Sequence, residues 1–187
     1  PAPFSRNMLC KIADLITKKN GMKLEKEALD KLEGLEFEAA VFTNLSAEHL
    51  DFHSDMEDYF KAKSKLFEKA KKKIINTDDA YGKRLKAAYP EALGCSITRK
   101  CCDFYASDIK DLGVDGSEYC LVSKDKRFLV RTPMIGRFNV MNTLEATACA
   151  ILLGVPPSDV KCALSTMSGV KGRLERVKLG TVSDYSV

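Results

Sequence analysis

Thr43-Asn44-Leu45-Ser46-Ala47-Glu48-His49-Leu50-Asp51-Phe52-His53, continuing as Ser54-Asp55-Met56-Glu57-Asp58-Tyr59-Phe60-Lys61-Ala62-Lys63-Ser64-Lys65-Leu66-Phe67, holds both histidines of the chain, several carboxylates and a lysine in an unusual place. Just before it, Glu38 to Phe42 is a short, largely apolar run that stops at Thr43-Asn44, as a buried strand stops where polar groups begin. Ser54 followed by Glu57 is a capping-box pattern and predicts a helix starting there. Met56, Tyr59, Phe60, Phe67 and Ala70 recur at helical spacing and give that helix one apolar face.

Lys63 falls on that apolar face, whereas Lys61 and Lys65 point elsewhere. A lysine so placed has to snorkel, find an anionic partner, or be chemically modified. His49 and His53 sit in the segment that joins strand to helix, beside Glu48 and Asp51. Neutral imidazole with carboxylate oxygen suits a divalent cation, and carboxylate-rich versions suit magnesium. Two such histidines are, on their own, as readily solvated loop residues, and Lys63 on its own a snorkelling side chain.

The segment resembles the central domain of the Mur ligases, of the MurE (UDP-N-acetylmuramoyl-tripeptide synthetase) type. Those enzymes carry Thr-Asn-Leu-x-x-[Asp/Glu]-His-Leu-Asp-[Tyr/Phe]-His followed by Met-x-x-Tyr-x-x-Ala-Lys-x-x-Leu-Phe. Thr43 to Phe67 follows that pattern almost residue for residue. The resemblance implies that His49 is a magnesium ligand and that Lys63 is the lysine the family carbamylates, its amine converted to an anion that serves as a second ligand. It also makes Asn44 a residue lining the site.

Bulk properties bound the rest. A chain of 187 residues is long enough for one domain with a real core. With 45% hydrophobic and 30% charged residues it has the make-up of a globular protein. A net charge of +4, with basic and acidic residues interspersed, gives no reason to expect a nucleic-acid partner. The densest basic cluster, Lys69 to Lys73, is predicted to lie at a helix end, where it complements the helix dipole. Seven cysteines without Cys-x-x-Cys spacing predict reduced thiols in a cytoplasmic protein rather than a zinc site or disulfide framework. No apolar run approaches the roughly 20 residues of a membrane span, so no membrane partner is expected.

Outward from the opening stretch, Ser5 is a candidate cap for a helix with apolar Met8, Leu9, Ile12, Leu15 and Ile16, ending near Asn20-Gly21. The family places a Gly-Thr-Asn-Gly-Lys-Thr phosphate loop before such a helix. Residues 1 to 7 read Pro-Ala-Pro-Phe-Ser-Arg-Asn, without glycine or lysine and with two prolines that lack N–H donors. Gly21 to Lys31 is a charged piece that stands where the family has a longer stretch ending in Glu-Val-Ser-Ser-His. The magnesium-binding glutamate of that stretch therefore has no counterpart.

Downstream, Ile74 to Asp79 reads as a strand ending in acids, followed by a helix with Tyr81, Leu85 and Ala88 that closes at Pro90. Cys95 to Thr98, Asp103 to Ile109, Glu118 to Ser123 and Arg127 to Thr132 read as strands, with a hairpin turn at Lys124-Asp125-Lys126. The pattern predicts an α/β fold: a mostly parallel sheet flanked by helices, with a small antiparallel sheet beside it. Gly136 to Asn142 opens a helix through Leu144, Ala148 and Leu152, with Asn139 as a candidate cap. Asp159 to Met167 is a further helix, with Ser158 as its cap.

The Gly136-Arg137-Phe138-Asn139-Val140-Met141-Asn142 stretch is similar to the family's Gly-x-[Phe/His]-Asn-x-x-Asn, and Gly169 to Val177 to its Gly-Val-x-Gly-Arg-x-Glu-Arg-Val. By resemblance Asn139, Asn142 and Arg173 lie at the nucleotide. Carboxamides suit an adenine edge because they donate and accept together. Asp184 matches the aspartate that contacts the ribose. Residues 1–183 are accordingly expected to be an incomplete Mur ligase central domain, and 184–187 the start of a linker to a C-terminal domain.

What the resemblance implies about function is an ATP- and Mg2+-dependent ligase. In this reaction the carboxylate of UDP-MurNAc-L-Ala-D-Glu is phosphorylated and the acyl-phosphate is then attacked by the amine of meso-diaminopimelate or L-lysine, in peptidoglycan precursor synthesis. Lacking the phosphate cradle and the magnesium glutamate, the chain alone is expected to be inactive. The alternatives are a noncatalytic scaffold that binds a protein partner and, ranked lower, a folylpolyglutamate-synthase-like ligase.

Overall fold

The computed structural model describes residues 36–46, 55–167, 176–179 and 183–186, the last two stretches as backbone alone. The expected helix at Met8 to Asn20 and the charged piece at Gly21 to Lys31 lie outside the described residues. Strand β1 (Phe37–Phe42) leads to helix α1 (Met56–Glu68), and β2 (Ala70–Asn76) leads to α2 (Ala80–Ala88). Then come β3 (Leu93–Ser96), β4 (Phe104–Asp111), β5 (Ser117–Ser123) and β6 (Arg127–Thr132). Helices α3 (Arg137–Leu152) and α4 (Pro157–Ser165) follow, and β7 (Arg176–Leu179) pairs antiparallel with β8 (Ser183–Ser186) as a separate ribbon.

Six strands form one sheet in sequence order, β1 to β6. The first four are parallel and the last two antiparallel, so the mostly parallel α/β sheet is as expected. Its antiparallel strands, however, extend the same sheet rather than lying beside it. Because β5 reverses on β4 and β6 reverses on β5, β6 points the same way as β1 to β4. The N-terminus of α3, which follows β6, therefore comes to the same edge of the sheet as the C-terminal ends of β1, β2 and β3. That edge is where open α/β sheets bind ligands.

Side-chain alternation along the strands makes the two faces. Ile74 of β2 joins Cys95, Phe104, Tyr119, Leu121 and Val130 in a core covered by Val140, Leu144 and Ala148 of α3. Its neighbour Ile75 turns to the other face, where Ala40, Phe42, Phe67 of α1 and Leu85 of α2 meet. Helices cover both sides, so adjacent residues such as Ile74 and Ile75 are both buried, while Lys71 to Lys73 lie in the less covered start of β2. Among the described residues no helix is long and apolar enough to cross a membrane.

Several local expectations are corrected. The cap of α1 is Asp55, whose Oδ1 accepts the Asp58 N–H at 2.8 Å; Ser54 lies outside the described residues. An aspartate one position on does the same capping as serine and adds charge at the positive end of the helix. Ala70 belongs to β2, not to the α1 stripe, because the helix ends at Glu68. Lys71 to Lys73 likewise lie in a strand rather than at a helix end. There Lys71 meets Glu38 across the β1–β2 ladder at 2.6 Å and Lys73 meets Glu91 at 3.3 Å. Helix α4 is preceded by Pro156, with Pro157 in its first turn, and Ser158 is already inside it.

Candidate functional site

Three loops leave the sheet at the shared edge. After β1, the residues Thr43, Asn44 and Leu45 are each held by a different side chain. Asn76 Nδ2 donates to the Thr43 carbonyl at 2.6 Å, Lys63 Nζ donates to the Asn44 carbonyl at 3.1 Å, and Asp79 Oδ2 accepts the Leu45 N–H at 3.5 Å. Asn76 also accepts the Asp78 N–H at 2.9 Å, so both ends of its buried carboxamide are engaged. Asp79 caps α2 through Tyr81 N and Gly82 N at 2.8 and 2.9 Å.

Lys63 is half-buried, while Lys61 and Lys65 are exposed, as the helical spacing predicts. Its Nζ stands 4.7 Å from the centre of the Tyr59 ring. Burial pushes its amine below the usual lysine range, and the nearby Asp79 carboxylate opposes that shift. Even so, its hydrogen-bond partner is a neutral carbonyl, so the charge of this inward amine is only weakly compensated.

After β2, Asp78 gathers the end of β3. Its Oδ1 accepts from the Ser96 and Thr98 hydroxyls, both at 2.6 Å, and its Oδ2 from Ile97 N at 2.8 Å. Arg99 approaches the same carboxylate at 3.8 Å and donates to the Thr77 carbonyl. Burial pushes Asp78 up, but these hydrogen bonds together with the guanidinium outweigh it and hold its carboxyl below the usual range. Thr77 Oγ1 donates to the Cys95 carbonyl at 2.9 Å and lies 3.2 Å from Cys102 Sγ.

At the start of α3, Gly136 rather than Asn139 occupies the cap position, with φ 92°. Asn139 is buried in the first turn, donates Nδ2 to the Ile135 carbonyl at 2.7 Å and accepts from Asn142 Nδ2 at 3.4 Å. Its carboxamide thus locks the turn that launches the helix, which is a different job from capping. Asn142 is half-buried, and its carbonyl end lies outside this pair. Phe138, in the same turn, is 57% exposed.

One turn further in lies Glu145, fully buried, with neither carboxylate oxygen hydrogen-bonded among the described residues. Burial, reinforced by the charges of Asp78 and Asp79, pushes its carboxyl well above the usual range.

Of the residues selected from sequence, Asn44 and Lys63 are brought together at the end of β1, and Asn139 and Asn142 at the start of α3 on the same edge. His49 and Arg173 lie outside the described residues, as do Glu48, Asp51 and His53, and for Asp184 only the backbone in β8 is described. The polar set of Asn76, Asp78, Asp79 and Glu145 was not selected. A signal existed for the three acids, Asp78 and Asp79 at a strand end and Glu145 as the one acid of its helix, but none for Asn76.

Among the described residues no group of three or more His, Cys, Asp or Glu side chains is placed to hold a metal ion. A lysine ammonium only donates, so Lys63 fits magnesium as a carbamate and not as an ammonium. Burial lowers its amine, which favours the neutral form that reacts with CO2.

The family model described as Mur ligase middle domain matches residues 20–150. The UDP-N-acetylmuramoyl-L-alanyl-D-glutamate–2,6-diaminopimelate ligase of Streptomyces avermitilis is 39% identical over 166 residues, covering 84% of this chain and 33% of the relative. The UDP-N-acetylmuramyl-tripeptide synthetase of Deinococcus radiodurans is 37% identical over 156 residues, covering 83% and 32%. A solved structure of a UDP-N-acetylmuramoyl-L-alanyl-D-glutamate–2,6-diaminopimelate ligase superposes with a TM-score of 0.74 at 30% identity, over 82% of this chain and 33% of that one. The chain spans about a third of the length of these relatives.

Proposed function

Because the chain belongs to the Mur ligase family, through its middle domain, we propose that it is the nucleotide-handling part of a MurE-type ligase. The reaction is ATP-dependent addition of a diamino acid, meso-diaminopimelate or L-lysine, to UDP-MurNAc-L-Ala-D-Glu in the cytoplasm. The observation that carries this reading is Lys63, drawn inward onto the Asn44 carbonyl at the sheet edge that also receives the start of α3.

In this reading His49 and carbamylated Lys63 hold Mg2+, which when bound neutralises phosphate charge. Carbamate formation joins the carbon of CO2 to the neutral Lys63 nitrogen. One C=O π pair of CO2 moves onto oxygen, and the amine proton goes to solvent. Asn142 presents its carboxamide to the base, Asn139 fixes the turn that positions it, and Arg173 and Asp184 face phosphate and ribose. Asn44 lines the site and orients Lys63.

The chain spans about a third of the length of its relatives, and this reading assigns ligation to the whole enzyme rather than to these residues alone. A radiolabelled ligation assay with ATP, Mg2+ and the UDP-MurNAc-dipeptide tests this, and product formed by these residues alone would refute it. The second reading is a noncatalytic scaffold with a protein partner. Calorimetry with Mg2+-ADP separates the two: binding supports the nucleotide site, and no binding together with a tight protein complex supports the scaffold.

A further inference from the structure

Lys63 owes its position to a backbone carbonyl, and a carbonyl points where its peptide plane points. The plane that carries the Asn44 carbonyl also carries the Leu45 N–H, which reaches Asp79 Oδ2 at 3.5 Å, and it follows directly on the plane of the Thr43 carbonyl, which receives Asn76 Nδ2 at 2.6 Å. The second anchor is much the shorter, and it comes from a side chain that is only 9% exposed.

Asn76 is itself held from two directions. Its Oδ1 accepts the Asp78 N–H at 2.9 Å, and Asp78 in turn binds Ser96, Ile97 and Thr98 at the end of β3. The backbone carbonyl of Asn76 is covered by α2, where a Cβ on Gly82 would stand 1.8 Å from that oxygen. With Oδ1 taken by the Asp78 N–H, the carboxamide has one orientation, in which the amide end faces Thr43.

We infer that Asn76 is a positioning residue for Lys63: through Thr43 it fixes the Asn44 carbonyl, and through that carbonyl the place of the Lys63 side chain. The inference rests on the reading of Lys63 as the carbamylated lysine of the site. It adds a residue on a different strand that decides whether the modified side chain is presented correctly. A buried carboxamide that merely ties strand ends together would affect stability and leave Lys63 chemistry unchanged.

The test compares the full chain with Asn76→Asp, which keeps shape and the acceptor but loses the donor, and with Asn76→Ser, whose shorter hydroxyl does not reach the Thr43 carbonyl. Each protein is equilibrated with 13C-bicarbonate and Mg2+, and the carbamate carbon is read by 13C NMR, with Lys63→Arg identifying the signal. Reaction of Lys63 with acetic anhydride is measured alongside by mass spectrometry, with exposed Lys61 and Lys65 as internal standards. The expected result is at least a tenfold loss of carbamate in both variants and a several-fold rise in Lys63 acetylation. Lys61 and Lys65 should not change, and the thermal transition should remain cooperative.

Equal carbamate in wild type and both variants overturns the role of Asn76 while leaving the Lys63 assignment intact. No carbamate in the wild type overturns the Lys63 assignment and this inference with it. A variant that loses carbamate but shows the same increase in acetylation at all three lysines has loosened as a whole, which also counts against a positioning role. If Asn76→Ser fails to fold, Asn76→Asp alone decides.

Discussion

Gly82 lies so close to Asn76 that a Cβ added to it would stand 1.8 Å from the Asn76 carbonyl oxygen. The contact comes from the tight passage between β2 and α2, where Asp79 caps the helix within three residues of the strand end. No side-chain rotation relieves it, because both atoms belong to backbone or would be fixed to it. Gly82→Ala should therefore force α2 away from β2 and cost about 2–4 kcal/mol, the range of severe overpacking. Urea unfolding measures this; a change below about 0.5 kcal/mol would show that the turn opens freely.

Lys63 gives the opposite kind of prediction. Its burial depresses the amine, so the folded protein releases that proton more readily than the unfolded chain. Stability contributed by this group therefore rises with pH toward the lysine range and is lost as pH falls below the depressed value. At neutral pH the ammonium is kept in place at a cost. Lys63→Met keeps the stem and removes the charge, and should stabilise the chain by about 0.5–1 kcal/mol while abolishing the carbamate. Thermal unfolding in CO2-free buffer is the measurement, since a carbamate would mask the effect.

Asn139 and Asn142 should separate fold from binding. Asn139 is buried with both ends of its carboxamide in use, so Asn139→Ala leaves the Ile135 carbonyl without its donor and costs about 1–3 kcal/mol. Asn142 is half-buried and bonded at one end, and Asn142→Ala should change stability little. If the nucleotide reading is right, Asn142→Ala weakens Mg2+-ADP binding about tenfold without that stability loss. Calorimetry and denaturant titration on the two variants check both halves.

The parts of the fold legible in the sequence were those written by local pattern. The β6 boundaries, the hairpin at Lys124 to Lys126 and the inward Lys63 follow from periodicity and turn residues that tertiary context did not override. Lys69 to Lys73 misled because a basic run looks like a helix end, while the alternation that makes Lys71 pair with Glu38 and Ile74 and Ile75 face opposite cores exists only once β1 lies alongside. The polar ties among Asn76, Asp78, Asp79 and the loop after β1 were illegible for the same reason. They join residues roughly twenty to thirty-five positions apart, and nothing in a single strand end says which loop it will meet. His49 and Arg173 are named by resemblance alone.

Glu145 carries the last prediction. It sits fully buried on α3, facing the negative charges of Asp78 and Asp79, with no hydrogen bond to either oxygen among the described residues. Its folded pKa is raised, so the folded state holds the proton where the unfolded chain has already released it. The stability it contributes is fully present below the unfolded glutamate value. It is lost as pH rises toward the folded value, at up to about 1.4 kcal/mol per pH unit. Asp78 acts in the opposite sense: its lowered carboxyl contributes stability above the unfolded aspartate value that is lost in acid. The two windows adjoin, which places the most stable condition in mildly acidic solution. Glu145→Gln removes the proton-linked loss and keeps the volume, so it should flatten the fall in stability above the unfolded glutamate value and leave the acid limb to Asp78. Glu145→Met goes further by removing the unpartnered oxygens, and should be at least as stable as the glutamine variant at neutral pH. Urea midpoints taken across that pH range decide the matter. Parallel curves for wild type and Glu145→Gln would mean that the carboxylate is compensated in the folded protein after all.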